Sequence, residues 1–328
     1  MAKIVDKLSP VTEEQWGLCN EFNKKITKEF IEESVQLSNK TLEGYYSALK
    51  IFFNFVRENL DNMSLLDIKG RDYLKFQNYL IRRGMSPSAV KFKRAAISSL
   101  NGYIITFYED RHPMFKNFIT KKIANPPKAF VHEKKPMNKE EWELLIKTLE
   151  EREEWQKIAY LKFTYASGCR RAETRQLLKE IVNYKPVVKN KDGKEIIYYQ
   201  THDIRCKGKG KTGKIRKLQF DQEALDAIKK WLEARGEDES PYVFVAKYAG
   251  KINMVSPNTF NQWCNYFSEI VGRRIHPHQM REQRATDIVV GEGKEIRKAQ
   301  KLLGHEQSST TEIYVIRDGD EDIDDVFS

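Results

Sequence analysis

Apolar side chains recur every three or four residues along much of the first 120 residues, which is the spacing of a helix with one buried face. The clearest case lies within residues 12–60 and comprises Leu42, Tyr45, Tyr46, Leu49, Phe52, Phe53 and Val56. A second helix is predicted from Asp72 to Arg83, with Gly84 placed to end it. A third begins at Ser86, with a proline in its first turn, and runs to about Phe107. Residues 1–123 are therefore expected to form a small all-helical domain.

Periodicity is lost between residues 124 and 137, where three prolines predict an interdomain linker. Asn138 then starts a helix, with Glu141 placed to complete a capping box, and residues 138–328 are expected to form a second domain. Helices to about residue 179 give way to β-like runs at 196–199, 203–206 and 215–220, and further helices start at Asp221 and Ser256. The pattern predicts a mainly α chain with a small antiparallel β-sheet in its second domain.

The composition of the chain indicates what kind of molecule the protein binds. The chain of 328 residues carries a net charge of +10, which suits a polyanion such as nucleic acid, although scattered surface lysines would give the same number. Its four cysteines form no CxxC pair, so neither a zinc module nor a disulfide framework is indicated. The first residues lack a signal peptide's apolar core and no apolar run reaches 18 residues, so we expect a cytoplasmic, DNA-associated protein without a membrane partner.

The densest chemistry lies near the C-terminus, where two histidines, an arginine and a tyrosine follow each other closely. His278 and Arg281 stand one helical turn apart, and His305 precedes Tyr314 by nine residues. Together they offer a nucleophile, hydrogen-bond donors for phosphate oxygens and proton-transfer groups, which is what attack on a phosphodiester without a metal or other cofactor requires. A metal site built on His276, His278 and His305 is the alternative, but a cationic Arg281 beside it disfavours a bound cation.

Two upstream segments add positive charge. Arg170 follows a Ser-Gly-Cys turn and could bind two phosphate oxygens, with Glu173 one turn away to orient it; an exposed ion pair is the simpler interpretation. The second segment, around Lys209, reads Gly-Lys-Gly between two predicted strands. A phosphate-binding loop would need a glycine where Arg205 stands, so the segment is either a solvent-exposed basic turn or part of the same site.

These segments together resemble the tyrosine recombinases of the phage-integrase family. Ser167 to Glu173 resembles the family's Thr-Gly-hydrophobe-Arg-x-x-Glu box, His278 and Arg281 its His-x-x-Arg pair, and Leu303 to Tyr314 its Leu-Gly-His and Thr-Thr-x-x-Tyr boxes. The resemblance implies a DNA clamp of two domains and a catalytic set that surrounds the scissile phosphate, with Tyr314 as nucleophile and the remaining members Arg170, Lys209, His278, Arg281 and His305. It also implies that Lys209 protonates the leaving 5′-oxygen, with Lys207, Lys211 and Lys214 as competitors.

The resemblance departs from the family pattern after Arg281. Members often read His-x-Phe-Ala-Thr there, whereas this chain has Glu282 and Arg284 before a matching Ala-Thr. None of the six catalytic positions is lost, which indicates divergence within the family and leaves room for an altered network around Arg281. The first half, from Phe30 to about Phe107, resembles the family's helical core-binding domain with less specific motifs.

Partners follow from the same resemblance. It implies double-stranded DNA at specific recombination sites, a homotetramer at synapsis and, in some systems, accessory DNA-bending proteins. Candidate DNA contacts lie on the third predicted helix and the linker, at Lys91, Lys93, Arg94, Lys134 and Lys135. Mobile-element integration or excision and dimer resolution both stay open as biological roles. A topoisomerase with the same chemistry and a DNA-binding protein that kept only the fold are the rival functions.

Overall fold

A computed structural model of the chain describes residues 8–126, 135–191, 193–206, 213–305, 311–312 and 315. Contacts within the chain divide it into two compact units, whose main segments meet in sequence between residues 132 and 133. No described helix is both long and apolar enough to span a bilayer.

The first unit is helical throughout its described part. Its helices are α1 (Glu13–Gly17), α2 (Glu21–Glu33), α3 (Asn39–Asn59), α4 (Gly70–Arg82) and α5 (Pro87–Phe107). The apolar stripe of α3 forms the middle of the core, where Phe52 and Phe53 are fully buried and Phe76 of α4 packs edge-on against Phe52. The bounds of these helices are predictable because capping residues stand at their ends. The Ser86 hydroxyl accepts the Ala89 N–H at the start of α5, and Gly84 adopts a positive φ of 76° after α4.

The second unit begins with two packed helices, α6 (Lys139–Glu151) and α7 (Trp155–Ser167), followed by the short α8 (Arg171–Thr174). Asn138 and Glu141 form the expected capping box of α6. Later helices are α9 (Gln222–Arg235), α10 (Pro257–Val271), α11 (Gln279–Thr286) and α12 (Ile296–Leu303), with α9 and α11 packed on α7. Asp221 and Ser256 are the N-caps of α9 and α10, as predicted.

Short antiparallel strands lie between α8 and α10. The strands are β1 (Val187–Lys191), β2 (Lys194–Gln200), β3 (Ile204–Cys206), β4 (Lys214–Arg216), β5 (Gln219–Phe220), β6 (Val245–Tyr248) and β7 (Lys251–Met254). They form a β1-β2-β5 sheet and two hairpins, β3-β4 and β6-β7. The expected mainly α fold with a small antiparallel β component is confirmed.

The strand details differ from the prediction in two ways. The predicted strand at 215–220 is broken at Leu218, whose N–H donates to the Thr201 hydroxyl and whose carbonyl accepts the Thr201 N–H, so that β4 and β5 pair with different neighbours. Strands β1, β6 and β7 were not predicted. The β6-β7 turn places Ala249 and Gly250 both at positive φ, a geometry usually marked by Asn-Gly or Asp-Gly, so the sequence signal was weak.

Candidate phosphate-binding site

The site is built where three sequence segments of the second unit meet. Helix α7 ends at Gly168, which has a φ of 58° and whose Cα lies so close to the Leu303 side chain that a Cβ would clash with it. Helix α12 ends at Gly304, where a Cβ would lie 2.8 Å from the Arg216 guanidinium. Glycine at both helix ends therefore lets the segment around Arg170, the strand β4 and the segment around His305 approach one another.

Arg170 follows the predicted Ser-Gly-Cys turn and is the N-cap of α8. Its Nη1 lies 3.0 Å from Glu173 Oε1, and its backbone N–H donates to the other carboxylate oxygen at 3.0 Å. Glu173 is 1% exposed and also receives Arg216 Nη2 at 3.2 Å. Burial alone would disfavour the ionised carboxyl, but the Arg170 N–H and the two guanidinium groups outweigh it and hold the pKa of Glu173 below its usual value. A carboxylate thus fixes two arginines.

Arg281 is fully buried on α11. Its guanidinium donates to the carbonyl oxygens of Gly168 and Leu303, the latter at 2.7 Å, and to His305 Nε2 at 2.7 Å. At the two positions that depart from the family pattern, Arg284 forms an ion pair with Glu292 at 2.9 Å, and a Glu282 oxygen lies 3.6 Å from His276 Nε2. Arg281 therefore joins the ends of α7 and α12 and places a positive charge behind His305.

His305 is fixed on both ring nitrogens. Because a guanidinium only donates, Nε2 accepts from Arg281, and the neutral ring carries its proton on Nδ1, 2.9 Å from the Thr311 hydroxyl. Burial and the nearby Arg281 and Arg170 lower the pKa of His305 to about 4. The imidazole is consequently neutral at pH 7, a hydrogen-bonding group and not a cation.

His278 is the N-cap residue of α11 and is also held neutral. Burial, followed by the charges of Arg171 and other neighbours, lowers its pKa to about 4. Its Nδ1 is buried and has no hydrogen-bond partner in the described part of the chain. A buried polar atom in that state has room for a further partner, such as a water molecule or a bound ligand.

A cationic cavity of about 340 Å³ opens at this junction. Its charged and imidazole lining consists of Arg170, Lys214, Arg216, Arg297, Lys301 and His305. Guanidinium and ammonium groups around a neutral imidazole make a site for a phosphate group. A cavity of about 380 Å³ beside Trp142 and Tyr165 contains none of the predicted catalytic residues.

The structure thus brings together two hydrogen-bonded pairs, Arg170–Glu173 and Arg281–His305, which Arg216 joins through Glu173 and the Leu302 carbonyl. His278 is not among the residues that line the cavity. Lys209, Tyr314 and Lys134 lie outside the described residues. Neighbours of two of them are described: Cys206 and Lys214, which pair across β3-β4 on either side of Lys209, both line the cavity. Thr311, three residues before Tyr314, bonds to His305.

The expected DNA contacts of the first unit differ among themselves. Lys91 is exposed, and burial lowers the pKa of the half-buried Lys93. The Arg94 guanidinium donates to the carbonyl oxygens of Thr120 and Ile123 at 3.1 and 3.0 Å. Arg94 therefore has a structural role, because it binds α5 to the segment around residues 120–123.

Sequence reasoning missed three contributors to the site. Arg216 was assigned only to a strand, and neither Arg297 nor Lys301 was singled out. The signal available for the last two is their four-residue separation, which puts both on one face of α12. For a metal, no cluster of three or more His, Cys, Asp or Glu side chains occurs within the described ranges.

Comparison with known proteins gives an independent view of the same residues. Residues 135–319 match the model of the phage integrase family. The chain is 33% identical to the SPbeta prophage-derived recombinase-like protein YomM of Bacillus subtilis strain 168, over 98% of this chain and 95% of that protein. It is 26% identical to the tyrosine recombinase XerC of Pediococcus pentosaceus, over 88% and 91% of the two chains.

Solved structures share the fold. The Tn1549 transposon integrase in complex with circular-intermediate DNA matches with a TM-score of 0.65 at 12% identity, over 94% of this chain and 100% of that one.

Proposed function

Since this chain belongs to the phage integrase family of tyrosine recombinases, we propose that its cationic cavity holds the scissile phosphate of a DNA recombination site and that Tyr314 attacks it. The enzyme is a site-specific DNA recombinase that cleaves and rejoins strands through a 3′-phosphotyrosyl intermediate. The observation that carries the residue assignment is that Glu173 fixes Arg170 and Arg281 fixes His305, and that both fixed residues line the same cavity.

The chemistry uses each group for one task. The Tyr314 hydroxyl gives its proton to a neutral histidine, and its oxygen forms a bond to phosphorus as the bond to the 5′-oxygen breaks. Arg170 donates to the non-bridging oxygens, and the charge of Arg281 lies behind them, so the negative charge that builds up in the transition state meets groups already in position. Lys209 gives a proton to the departing 5′-oxygen. The phosphotyrosyl bond keeps the bond energy, and the 5′-hydroxyl of another strand reverses the step.

Neutral histidines suit this scheme. With a pKa of about 4, His278 and His305 have both a donor and an acceptor nitrogen at pH 7. His278 does not line the cavity, but its buried Nδ1 has no partner among the described residues, and with the family resemblance we assign it to the phosphate. His305 bonds to Thr311 in the segment that leads to Tyr314, and we assign it to the nucleophile's side of the phosphate.

The two units take different tasks in this proposal. Residues 1–123 form the core-binding domain, residues 124–137 the linker and residues 138–328 the catalytic domain, and the two domains together hold double-stranded DNA. Four copies act on two duplexes in the cytoplasm. Similarity to a prophage-derived relative along 98% of the chain favours integration or excision of a mobile element over dimer resolution.

A nicked suicide substrate tests this function directly. When cleavage releases a short fragment carrying the 5′-hydroxyl, religation fails and the protein stays on the DNA. We expect the wild-type chain to form an adduct that survives denaturing electrophoresis, and Tyr314→Phe to form none while retaining DNA binding. An adduct at wild-type yield with Tyr314→Phe would mean that another residue is the nucleophile.

A further inference from the structure

Arg216, the last residue of β4, contacts three other segments of the second unit through its side chain. Its Nη2 lies 3.2 Å from Glu173 Oε2, its Nη1 donates to the Leu302 carbonyl at 2.7 Å, and its Nε lies 3.3 Å from Cys206 Sγ. The side chain is 20% exposed and lines the cationic cavity. One guanidinium therefore joins strands β3 and β4 to α8 and to the end of α12.

The connection through Glu173 reaches Arg170. The carboxylate divides its oxygens: Oε1 faces Arg170 Nη1, whereas Oε2 faces both the Arg170 backbone N–H and Arg216 Nη2. Two cations on one buried carboxylate restrict its rotation, so Arg216, by holding Oε2, fixes the direction in which Oε1 faces the Arg170 side chain. Removing Arg216 would free that carboxylate to turn toward Arg170 and draw its guanidinium away from the cavity.

The connection through Leu302 reaches His305. Leu302 is three residues before His305, and the Gly304 Cα is so near the Arg216 guanidinium that a Cβ would lie 2.8 Å from its Nη1. The turn after α12 thus rests on Arg216 from one side, while Arg281 binds the Leu303 carbonyl. The position of the His305 backbone depends on both arginines.

We propose that Arg216 is a positioning residue for DNA cleavage, which sets the direction of Arg170 through Glu173 and the position of His305 through the Leu302 carbonyl. This inference rests on the proposed function. Its three nitrogen atoms are each directed at a protein atom, so its effect on the phosphate passes through Arg170 and His305. Lysine keeps the charge but has a single nitrogen, which cannot reach a carboxylate, a carbonyl and a thiol together.

The test is a double-mutant cycle of Arg216→Lys with Arg170→Ala, measured as single-turnover cleavage of the suicide substrate at saturating protein. We expect Arg216→Lys alone to slow cleavage about tenfold with little change in DNA affinity. In protein that already carries Arg170→Ala, the same substitution should slow cleavage by about threefold or less. The loss shrinks because most of the Arg216 effect passes through Arg170.

Arg235→Lys is the matched control. Arg235 is an arginine of the second unit, more deeply buried than Arg216, whose guanidinium donates to Asp238 and to the carbonyl oxygens of Tyr242 and Val243, and it does not line the cavity. Both lysine variants should lower the melting temperature, but Arg235→Lys should cleave at the wild-type rate once folded. A purely structural Arg216 would behave in the same way, and that result would overturn the inference.

Two further outcomes are decisive. A tenfold loss that persists in full in the Arg170→Ala background would overturn the inference, because it requires most of the Arg216 effect to pass through Arg170. Absence of any adduct with the wild-type chain on its own recombination site would instead contradict the proposed function, because the inference predicts a difference between variants and not the presence of cleavage itself.

Discussion

The cavity of the second unit and helix α5 of the first unit hold positive charge in opposite ways. Arg170, Arg216 and Arg281 are each bonded to a carboxylate or to carbonyl oxygens, and Arg281 is fully buried. Lys91 on α5 is exposed to solvent. Charges fixed before the ligand arrives stabilise one geometry, whereas mobile surface charges attract a polyanion at many positions and are screened by salt. We therefore expect substitutions in the cavity to change the cleavage rate and those on α5 to change affinity.

Arg281→Ala should have the largest effect. It removes the positive charge behind the phosphate and the donor to two carbonyl oxygens and to His305, so cleavage should fall by at least about a hundredfold, the scale for losing one electrostatic contribution to the transition state. Arg281→Lys should rescue poorly because an ammonium cannot span the three acceptors. Single-turnover rates, with circular dichroism to confirm folding, make the comparison. Near-normal cleavage by Arg281→Lys would show that the three hydrogen bonds of the Arg281 guanidinium are not needed for cleavage.

Lys209→Ala should block expulsion of the 5′-oxygen without changing the attack geometry. A substrate with sulfur at that bridging position has a leaving group that needs no proton, so the variant should cleave it at nearly the wild-type rate while ordinary DNA stays poor. Parallel measurements on Lys207→Ala, Lys211→Ala and Lys214→Ala identify the donor. Rescue of one of these in place of Lys209→Ala would reassign the general acid within the hairpin.

Neutralising the expected surface lysines should weaken DNA binding without slowing the bound enzyme. Substituting glutamine for Lys91, Lys93 and Lys135 should lower the slope of log affinity against log salt by about 0.9 for each DNA phosphate that a lysine no longer neutralises. Lys28→Gln on α2, outside the expected interface, is the control and should leave the slope unchanged. If all four substitutions reduced the slope equally, the overall charge of the protein would govern binding and these lysines would have no specific role.

The two histidines should make the stability of the fold depend on pH, and this effect should be smaller than those of the substitutions above. In the folded state His278 and His305 have a pKa of about 4, below the usual 6.5, so the unfolded chain takes up protons first as the pH falls. Their contribution to stability is present above about pH 6.5 and is lost between there and pH 4. Melting temperatures should fall across that window, and less steeply in a His278→Asn, His305→Asn double variant. An identical slope in both proteins would contradict the pKa assignment.

A structural feature could be predicted from the sequence where residues close to it in the chain determine it. Helices α3 to α6 were found because apolar spacing and capping residues such as Ser86 and Asn138 act locally. The hairpin β6-β7 was missed because Ala249, not asparagine or glycine, occupies a positive-φ position. Motifs and resemblance indicated Arg170, His278, Arg281 and His305, but not Arg216, whose partners Glu173 and Leu302 lie 43 and 86 residues away in the sequence. Contacts of that range arise from tertiary packing alone.

The most direct test of the central claim is to identify the residue that becomes linked to DNA. Wild-type protein trapped on the suicide substrate would be digested with nuclease and trypsin and analysed by mass spectrometry. The tryptic peptide from Leu302 to Arg317 contains a single tyrosine, Tyr314. The account predicts a nucleotide 3′-phosphate attached to Tyr314 of that peptide, and attachment to any other peptide would contradict it.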